Sequence, residues 1–247
     1  MTSDDEYHLG HKKEVLLLPQ FKDMNTRAEN FKADIFNKLF GEEWKEVYDA
    51  FRLCAVYRQF RSGQFLFRKG DPAPKVHLIL NGVARVHARS QSSGSLIIRF
   101  LKEGDMAGIM EAFNVMPHQY NAMVHSKELS LCSLDRASFL DLLRDFPVFG
   151  MQVMKQVDRD ASFIEMRLAD IRSQRVVDRI EGMMRAMSEK FGLDDAGQID
   201  LDITPSNIAQ MIGATRTTVY RSLKQLEEEG VLEIKNHRIR PMRPMAI

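Results

Sequence analysis

Arg216 and Arg221, with Thr217 and Tyr220 between them, are the side chains of this sequence best suited to chemistry on a partner, because all four can donate hydrogen bonds. An arginine fork matches the O6 and N7 acceptors of guanine in the major groove of DNA, and the first turns of a recognition helix reach the base edges. Arg216 is the leading candidate for a base contact. Arg221 lies on a neighbouring part of the same surface, where it suits a second base or a phosphate. By contrast, no Ser-His-Asp order, HExxH or phosphate-loop glycine pattern appears, so no hydrolytic nucleophile and base can be placed and an enzyme is not expected.

Such side chains act together only if a helix presents them outward, and residues 203–229, ITPSNIAQMIGATRTTVYRSLKQLEEE, read as a helix-turn-helix. Thr204 caps a first helix and Pro205 sits at its first position, where a missing N–H costs nothing. Ile208, Met211 and Ile212 share one face, and Gly213 supplies the permissive backbone of a sharp turn. Thr215 caps the second helix, in which Val219, Leu223 and Leu226 form the buried stripe. Gly230 ends that helix. VLEIKNHRIRP then reads as a two-stranded wing turning near Asn236, with Lys235, His237, Arg238 and Arg240 placed for phosphate contacts that add affinity without sequence information. The bland alternative is an amphipathic hairpin with a solvated basic face.

The whole chain has 247 residues, 44% of them hydrophobic, and a net charge of +1, the composition of a globular protein of one or two domains. Its charge is unevenly spread, since residues 203–247 are net +3 and the remainder is net −2. The basic excess lies where contact with DNA needs it. Cys54 and Cys132 stand far apart, which suits a reducing cytoplasm and supplies neither a cysteine zinc site nor a four-thiolate iron–sulfur cluster. No metal site is expected. No apolar run approaches a membrane span and the start, MTSDDEYHLGHKK, is unlike a secretory signal, so a cytoplasmic location without membrane contact is expected.

Along the chain, residues 1–34 read as an extension of uncertain order. A short helix carrying Trp44, Val47, Tyr48 and Phe51 follows. From about 56 to 134 the pattern changes to short apolar runs separated by turn signals, including Gly70-Asp71-Pro72, Asn81-Gly82 and Gly104-Asp105, the mark of an antiparallel barrel or jelly roll. Asn81-Gly82 is a hairpin signal. After a short helix at 138–143 a long helix opens at Pro147, and in it Met154, Val157, Ala161, Ile164, Leu168 and Ile171 recur at alternating intervals of three and four. That is a coiled-coil seam, flanked by charge. It implies a parallel homodimer whose two recognition helices enter successive major grooves and read a palindrome. Docking of this helix on the barrel is the alternative. The resulting organisation is an α+β chain with an extension (1–34), a β-roll domain (35–146), a dimerisation helix (147–173) and a winged-helix domain (174–247).

This order of parts, with FRSGQFLFRKGDPAPKVHLILNGVARV in the β-roll and TPSNIAQMIGATRTTVYRSLKQLEEEGVLE near the end, resembles the bacterial family of the cyclic AMP receptor protein and the fumarate–nitrate regulator, over about 36–241. The resemblance implies a cyclic-nucleotide-binding-type β-roll, a winged helix-turn-helix, and transcriptional regulation by an effector-controlled homodimer with RNA polymerase as a partner.

Departures from the family pattern are informative. Members that bind cyclic AMP carry a Gly-Glu pair and then Arg-Ser-Ala, whereas this chain has GDMAGIMEAF and HQYNAMV. Aligned through Gly108 and Ala122, Ile109 stands at the glutamate position and Tyr120 at the arginine position. Isoleucine cannot accept a ribose hydroxyl and a neutral tyrosine cannot balance a buried phosphate, so the usual cyclic AMP mode is expected to be lost. No cofactor is expected. A different small-molecule effector would find Arg99, Tyr120 and Asn121 as candidate contacts, and a β-roll that is only a dimerisation scaffold is the other reading. Haem, used by other sensors of the family, would draw on His77, His87, His118, His125, Cys132 or one of the many methionines, and a nucleotide-type regulatory subunit without DNA contact is the nearest rival. In the recognition helix the resemblance to Arg-Glu-x-x-x-Arg carries over to Arg216 and Arg221. Thr217 replaces the glutamate, which changes or relaxes the base preference at that step.

Overall fold

A computed structural model of the chain describes residues 33–72, 75–90, 94–173, 175–235 and 238–242. The extension expected at 1–34 therefore lies almost entirely outside the described residues. α1 (Ala33–Phe40), a single 3-10 turn (Gly41–Glu43) and α2 (Trp44–Cys54) lead into the β-roll. Phe36, Phe40, Val47 and Phe51 are buried. Edge-to-face contacts of Phe51 with Phe36 and Phe149, at ring-centroid distances of 5.1 and 5.5 Å, fix the two short helices onto the long one. Trp44 packs edge-on to Tyr48 and belongs to the partly buried margin of this core.

The β-roll is a sandwich of two four-stranded antiparallel sheets. One has the order β1 (Val56–Arg61), β8 (Glu128–Asp135), β3 (Lys75–Asn81), β6 (Met106–Ala107). The other runs β2 (Phe65–Phe67), β7 (Asn121–Val124), β4 (Ala84–Ser90), β5 (Gly94–Leu101). Phe67, Ile79, Val86, Leu101 and Leu131 close the space between them. The Asn81-Gly82 turn does not make a hairpin. β3 and β4 belong to different sheets, so the turn carries the chain across the sandwich, and Gly82, at φ 85°, has the carbonyl oxygen of Glu128 where a Cβ would stand. A short helix, α3 (Ile109–Asn114), interrupts the strands between β6 and β7.

Beyond β8, α4 (Arg136–Asp145) starts from an Asp135 side chain that accepts the Ser138 N–H. α5 (Pro147–Ser173) is the long helix expected from the seam pattern. Its inner face docks on the β-roll through Phe149, Val153 and Gln156. The Gln156 amide accepts from the Met106 N–H at 2.7 Å and donates to the Met106 carbonyl at 2.6 Å, completing the free edge of the two-residue strand β6. The outer face is bare: Met154, Ile164 and Leu168 are 66%, 42% and 61% exposed, Ala161 is exposed and Val157 is half-buried. The side chain of Ile171 lies outside the described residues.

α6 (Val176–Phe191), α7 (Pro205–Ile212), α8 (Arg216–Glu228), β9 (Leu232–Lys235) and β10 (Arg238–Pro241) form the last unit. α6 has no counterpart in the sequence reading, although Ile180, Met183, Met184 and Met187 line one buried face of it. The core of this unit includes Ile97 and Phe100 from β5, so the β-roll and the winged helix share apolar packing within one chain.

Candidate nucleic-acid interface

Local chemistry sets the helix-turn-helix. The Thr204 hydroxyl accepts the Asn207 N–H at 3.2 Å while the Asn207 side chain accepts the Thr204 N–H at 3.0 Å, a reciprocal cap on α7 with Pro205 at its first position. Gly213 closes α7 in the left-handed conformation, φ 66°. Thr215 then accepts the Thr218 N–H and starts α8. Val219, Leu223 and Leu226 are fully packed beneath it, with burial of each contributing about 1.5–3 kcal/mol. Thr217, Tyr220 and the two arginines Arg216 and Arg221 consequently face solvent on the first two turns. Among the described residues neither arginine has a carboxylate partner, so both forks are free for acceptors on a ligand.

Two further arginines hold this helix pair in place from behind. The Arg179 guanidinium donates to the Ile212 carbonyl at 3.0 Å, and Arg167 of α5 donates to the Met211 carbonyl. Both therefore neutralise the carbonyl end of α7, where the helix dipole is negative. On the other side, the His125 ring lies 2.6 Å from the Asp202 carbonyl oxygen, a second link between β-roll and reading head.

The wing forms as an antiparallel ribbon, Arg238 opposite Lys235, while Asn236 and His237 lie outside the described residues. Its charge is not arranged as the sequence suggested. Arg238 turns inward, with Nη1 3.1 Å from both Asp194 and Asp200 and Nε 3.0 Å from Asp202. Burial would lower its pKa, but hydrogen bonds and charge from Asp202 and Asp200 outweigh that and hold the proton more tightly than usual. The expectation of Arg238 as a phosphate contact is corrected: three carboxylates already take its Nε and Nη1 donors and offset its charge. Lys235 remains on the surface beside Glu233 at 2.6 Å, and Arg240 lies 3.9 Å from the same carboxylate.

The residues expected to line an effector pocket each have surroundings of their own. Gly108 has φ 88°, and a Cβ on it would lie 2.7 Å from the Lys75 carbonyl oxygen. Ile109 is buried as a core residue, whereas Tyr120 is 42% exposed. The Asn121 amide accepts the Lys69 N–H at 3.0 Å, and Arg99 is ion-paired with Asp160 of α5. In place of Tyr120, His118 enters the interior. Its ring stacks on Phe67 at 3.6 Å between centroids, and its Cε1 would stand 3.5 Å from a Cβ on Gly108. Glu111 lies 3.9 Å from His118 Nδ1, beyond hydrogen-bond distance. Burial pushes the Glu111 carboxyl up, but the neighbouring ring and backbone N–H groups outweigh it and hold it low.

Of the other groups considered for haem, His77 bonds to Ser133 Oγ at 2.8 Å inside the sandwich, and burial first, then His118, pushes its pKa down to about 3. Burial pushes the Cys132 thiol far up, which disfavours the thiolate a metal needs. Burial likewise lowers His87, and His125 is committed to Asp202.

A β-roll docked through a long helix onto a winged helix-turn-helix with an open arginine face defines a DNA-binding regulator of transcription. The chain matches the family models for the cyclic nucleotide-binding domain over residues 57–146 and for the Crp-like helix-turn-helix domain over 174–245. It is 24% identical over 178 residues to the CRP-like cAMP-activated global transcriptional regulator of Mycobacterium tuberculosis (strain CDC 1551 / Oshkosh), covering 71% of this chain and 79% of that one. It is 23% identical over 211 residues to the global nitrogen regulator of Nostoc sp. (strain PCC 7120 / SAG 25.82 / UTEX 2576), covering 79% and 94%. The solved structure of FixK2 from Bradyrhizobium japonicum shares the fold with a TM-score of 0.66 at 20% identity, over 77% of this chain and 93% of that chain. The chain belongs to the CRP/FNR family of transcription regulators.

Proposed function

We propose that the chain acts as a homodimer that reads a two-fold-symmetric DNA site through α8, and that its β-roll does not take cyclic AMP in the usual mode. The observation that carries the reading is the pair of open faces. α8 offers Arg216, Thr217, Tyr220 and Arg221 to solvent, and α5 offers the apolar row Met154, Ile164 and Leu168. An exposed apolar row on a helix whose other face is already docked suits a second copy of itself. Two α8 helices related by that axis would enter grooves about 34 Å apart.

Within the β-roll, an apolar Ile109, an exposed Tyr120 and an inward His118 leave neither a ribose acceptor nor a phosphate cation at the positions that the family resemblance assigns. A regulator of this kind works with RNA polymerase in the cytoplasm, and any effector it answers to is of another chemistry or binds elsewhere. The test is selection from a random duplex-DNA library by the purified protein, without added ligand and at one fixed near-physiological salt concentration, because phosphate contacts make affinity strongly salt-dependent. Enrichment of a symmetric site is expected. Recovery of no site, with or without cell extract, would favour a regulatory subunit that does not touch DNA.

A further inference from the structure

A cleft of about 580 Å³ opens at the junction of four elements. Its walls come from α1, from β5 and the turn after it, from α5 on the side opposite the apolar row, and from α6. That volume falls within the range of small-molecule sites, roughly 300–1,000 Å³, and such sites favour domain junctions. Phe100, Phe163, Met166 and Met187 supply an apolar floor.

Two ion pairs brace the walls. Arg99 of β5 pairs with Asp160 of α5, and Lys190 of α6 lies 2.8 Å from Asp105 in the turn after β5. The Lys102 ammonium donates to the Lys190 carbonyl, at the negative end of α6. These contacts pair Arg99 with Asp160 and Lys190 with Asp105. Lys38 and Arg159 line the same cleft from exposed positions. Burial lowers the pKa of Lys102; Asp105 raises it, while Lys190, Lys38 and Arg159 lower it further. The Lys102 ammonium is half-buried and, among the described residues, has no carboxylate within ion-pair distance. Glu103, Asp158 and Glu189 also line the cleft from exposed positions, where water screens them as it screens Lys38 and Arg159.

We propose that this cleft is an effector site for a small amphiphilic anion, with a carboxylate or phosphate head held by Lys38, Lys102 and Arg159 and an apolar body over Phe100, Phe163 and Met187. An anion there relieves the repulsion among the cations while its tail leaves water. Because α6 belongs to the reading head and the remaining walls to the β-roll and α5, occupancy changes how the two units sit. Regulation through this cleft rests on the DNA-binding reading; the site itself does not.

Isothermal titration of the full chain with decyl phosphate and with decanoate, each below its micellar concentration and at fixed salt, tests the site. One saturable event per chain is expected. The exposed double variant Lys38→Met, Arg159→Met should weaken it by about tenfold or more, and Ala186→Phe, which fills the floor, should abolish it. Tighter binding of decyl phosphate assigns a phosphate head, and tighter binding of decanoate a carboxylate. No saturable heat with either probe, or binding indifferent to both variants, overturns the site. Affinity for the DNA site chosen by library selection should then shift by about threefold or more with the probe bound; an unchanged affinity overturns the effector role. If no DNA site is selected, the DNA-binding reading fails while the titrations still decide whether the cleft binds.

Discussion

The Arg167 guanidinium on α5 donates to the Ile97 carbonyl of β5 at 3.0 Å, and the same fork reaches the Ile98 carbonyl at 2.8 Å and the Met211 carbonyl at the end of α7. One side chain thus references the recognition-helix pair to the β-roll. Burial pulls its pKa below the usual arginine range.

Arg167→Met keeps most of the aliphatic stem but strips three carbonyls of their donor, so a stability loss of about 1–3 kcal/mol is expected. The β-roll and reading head should also lose their common transition. Trp44 is the single tryptophan and lies on the β-roll side, so its fluorescence reports that unit while far-ultraviolet circular dichroism reports both. Urea transitions by the two probes should coincide in the natural chain and separate in the variant. Unchanged, coincident midpoints would show that the fork is not what joins the units.

Arg216 and Arg221 should differ in how their loss is felt. If each fork reads a base, Arg216→Ala or Arg221→Ala costs about 1–3 kcal/mol on the selected site and relaxes the preference at one position. Equal weakening on all duplexes, together with a salt slope reduced by about one, identifies that arginine as a phosphate clamp instead.

Arg238→Ala is expected to act on folding and not on DNA contact, because Asp194, Asp200 and Asp202 already take its Nε and Nη1 donors and offset its charge. The salt slope of DNA binding should stay as in the natural chain. Exposure of the cluster limits the stability effect to about 1 kcal/mol. A salt slope that falls by about one unit would return Arg238 to the phosphate contacts.

Where local rules decide, the sequence is a sufficient guide. Thr204-Pro205, Gly213 and Thr215 bound α7 and α8 through contacts three or four residues long, and the structure has those caps. Longer-range partners are another matter. Asn81-Gly82 announces a turn but not which strand will pair, and the pairing crosses to the other sheet. The positive charge of Arg238 is visible, whereas its carboxylates lie 36–44 residues away. His118 and Tyr120 are two places apart in one loop, and no linear alignment tells which of them turns inward. α6 follows α5 almost without interruption and begins at Arg175, which lacks the short polar side chain that usually marks a cap, so its Met-rich stripe carries no start signal.

Acid should weaken the β-roll through His77. Its folded pKa of about 3 lies below the ordinary 6.5, so the unfolded chain binds the extra proton between those values. Stability from this group is complete above pH 6.5 and falls as pH drops towards 3, by about 1.4 kcal/mol per unit for one proton. His77→Gln preserves a hydrogen bond for Ser133 and removes the titration. Urea midpoints taken from pH 6.5 to 4.5, above most carboxylate titrations, should slope less steeply in the variant by about one proton. Parallel slopes would mean that His77 is reached by solvent protons without unfolding.

The apolar row on α5 carries the last prediction. Leu168 is 61% exposed and Ile164 42%, so replacing either with lysine removes little packing from an isolated chain, and monomer stability should change by less than about 0.5 kcal/mol. In a two-fold dimer each substitution occurs twice, and each lost apolar contact is worth about 1.5–3 kcal/mol with charge repulsion added. Leu168→Lys should therefore weaken dimerisation by at least about a hundredfold, read by sedimentation across a concentration series. Met151→Lys, exposed at the margin of the row, should do less. Affinity for the symmetric DNA site should fall with dimerisation and recover as protein concentration rises, because each reading head is untouched. A Leu168→Lys protein that stays dimeric at every concentration would place the interface elsewhere on the molecule.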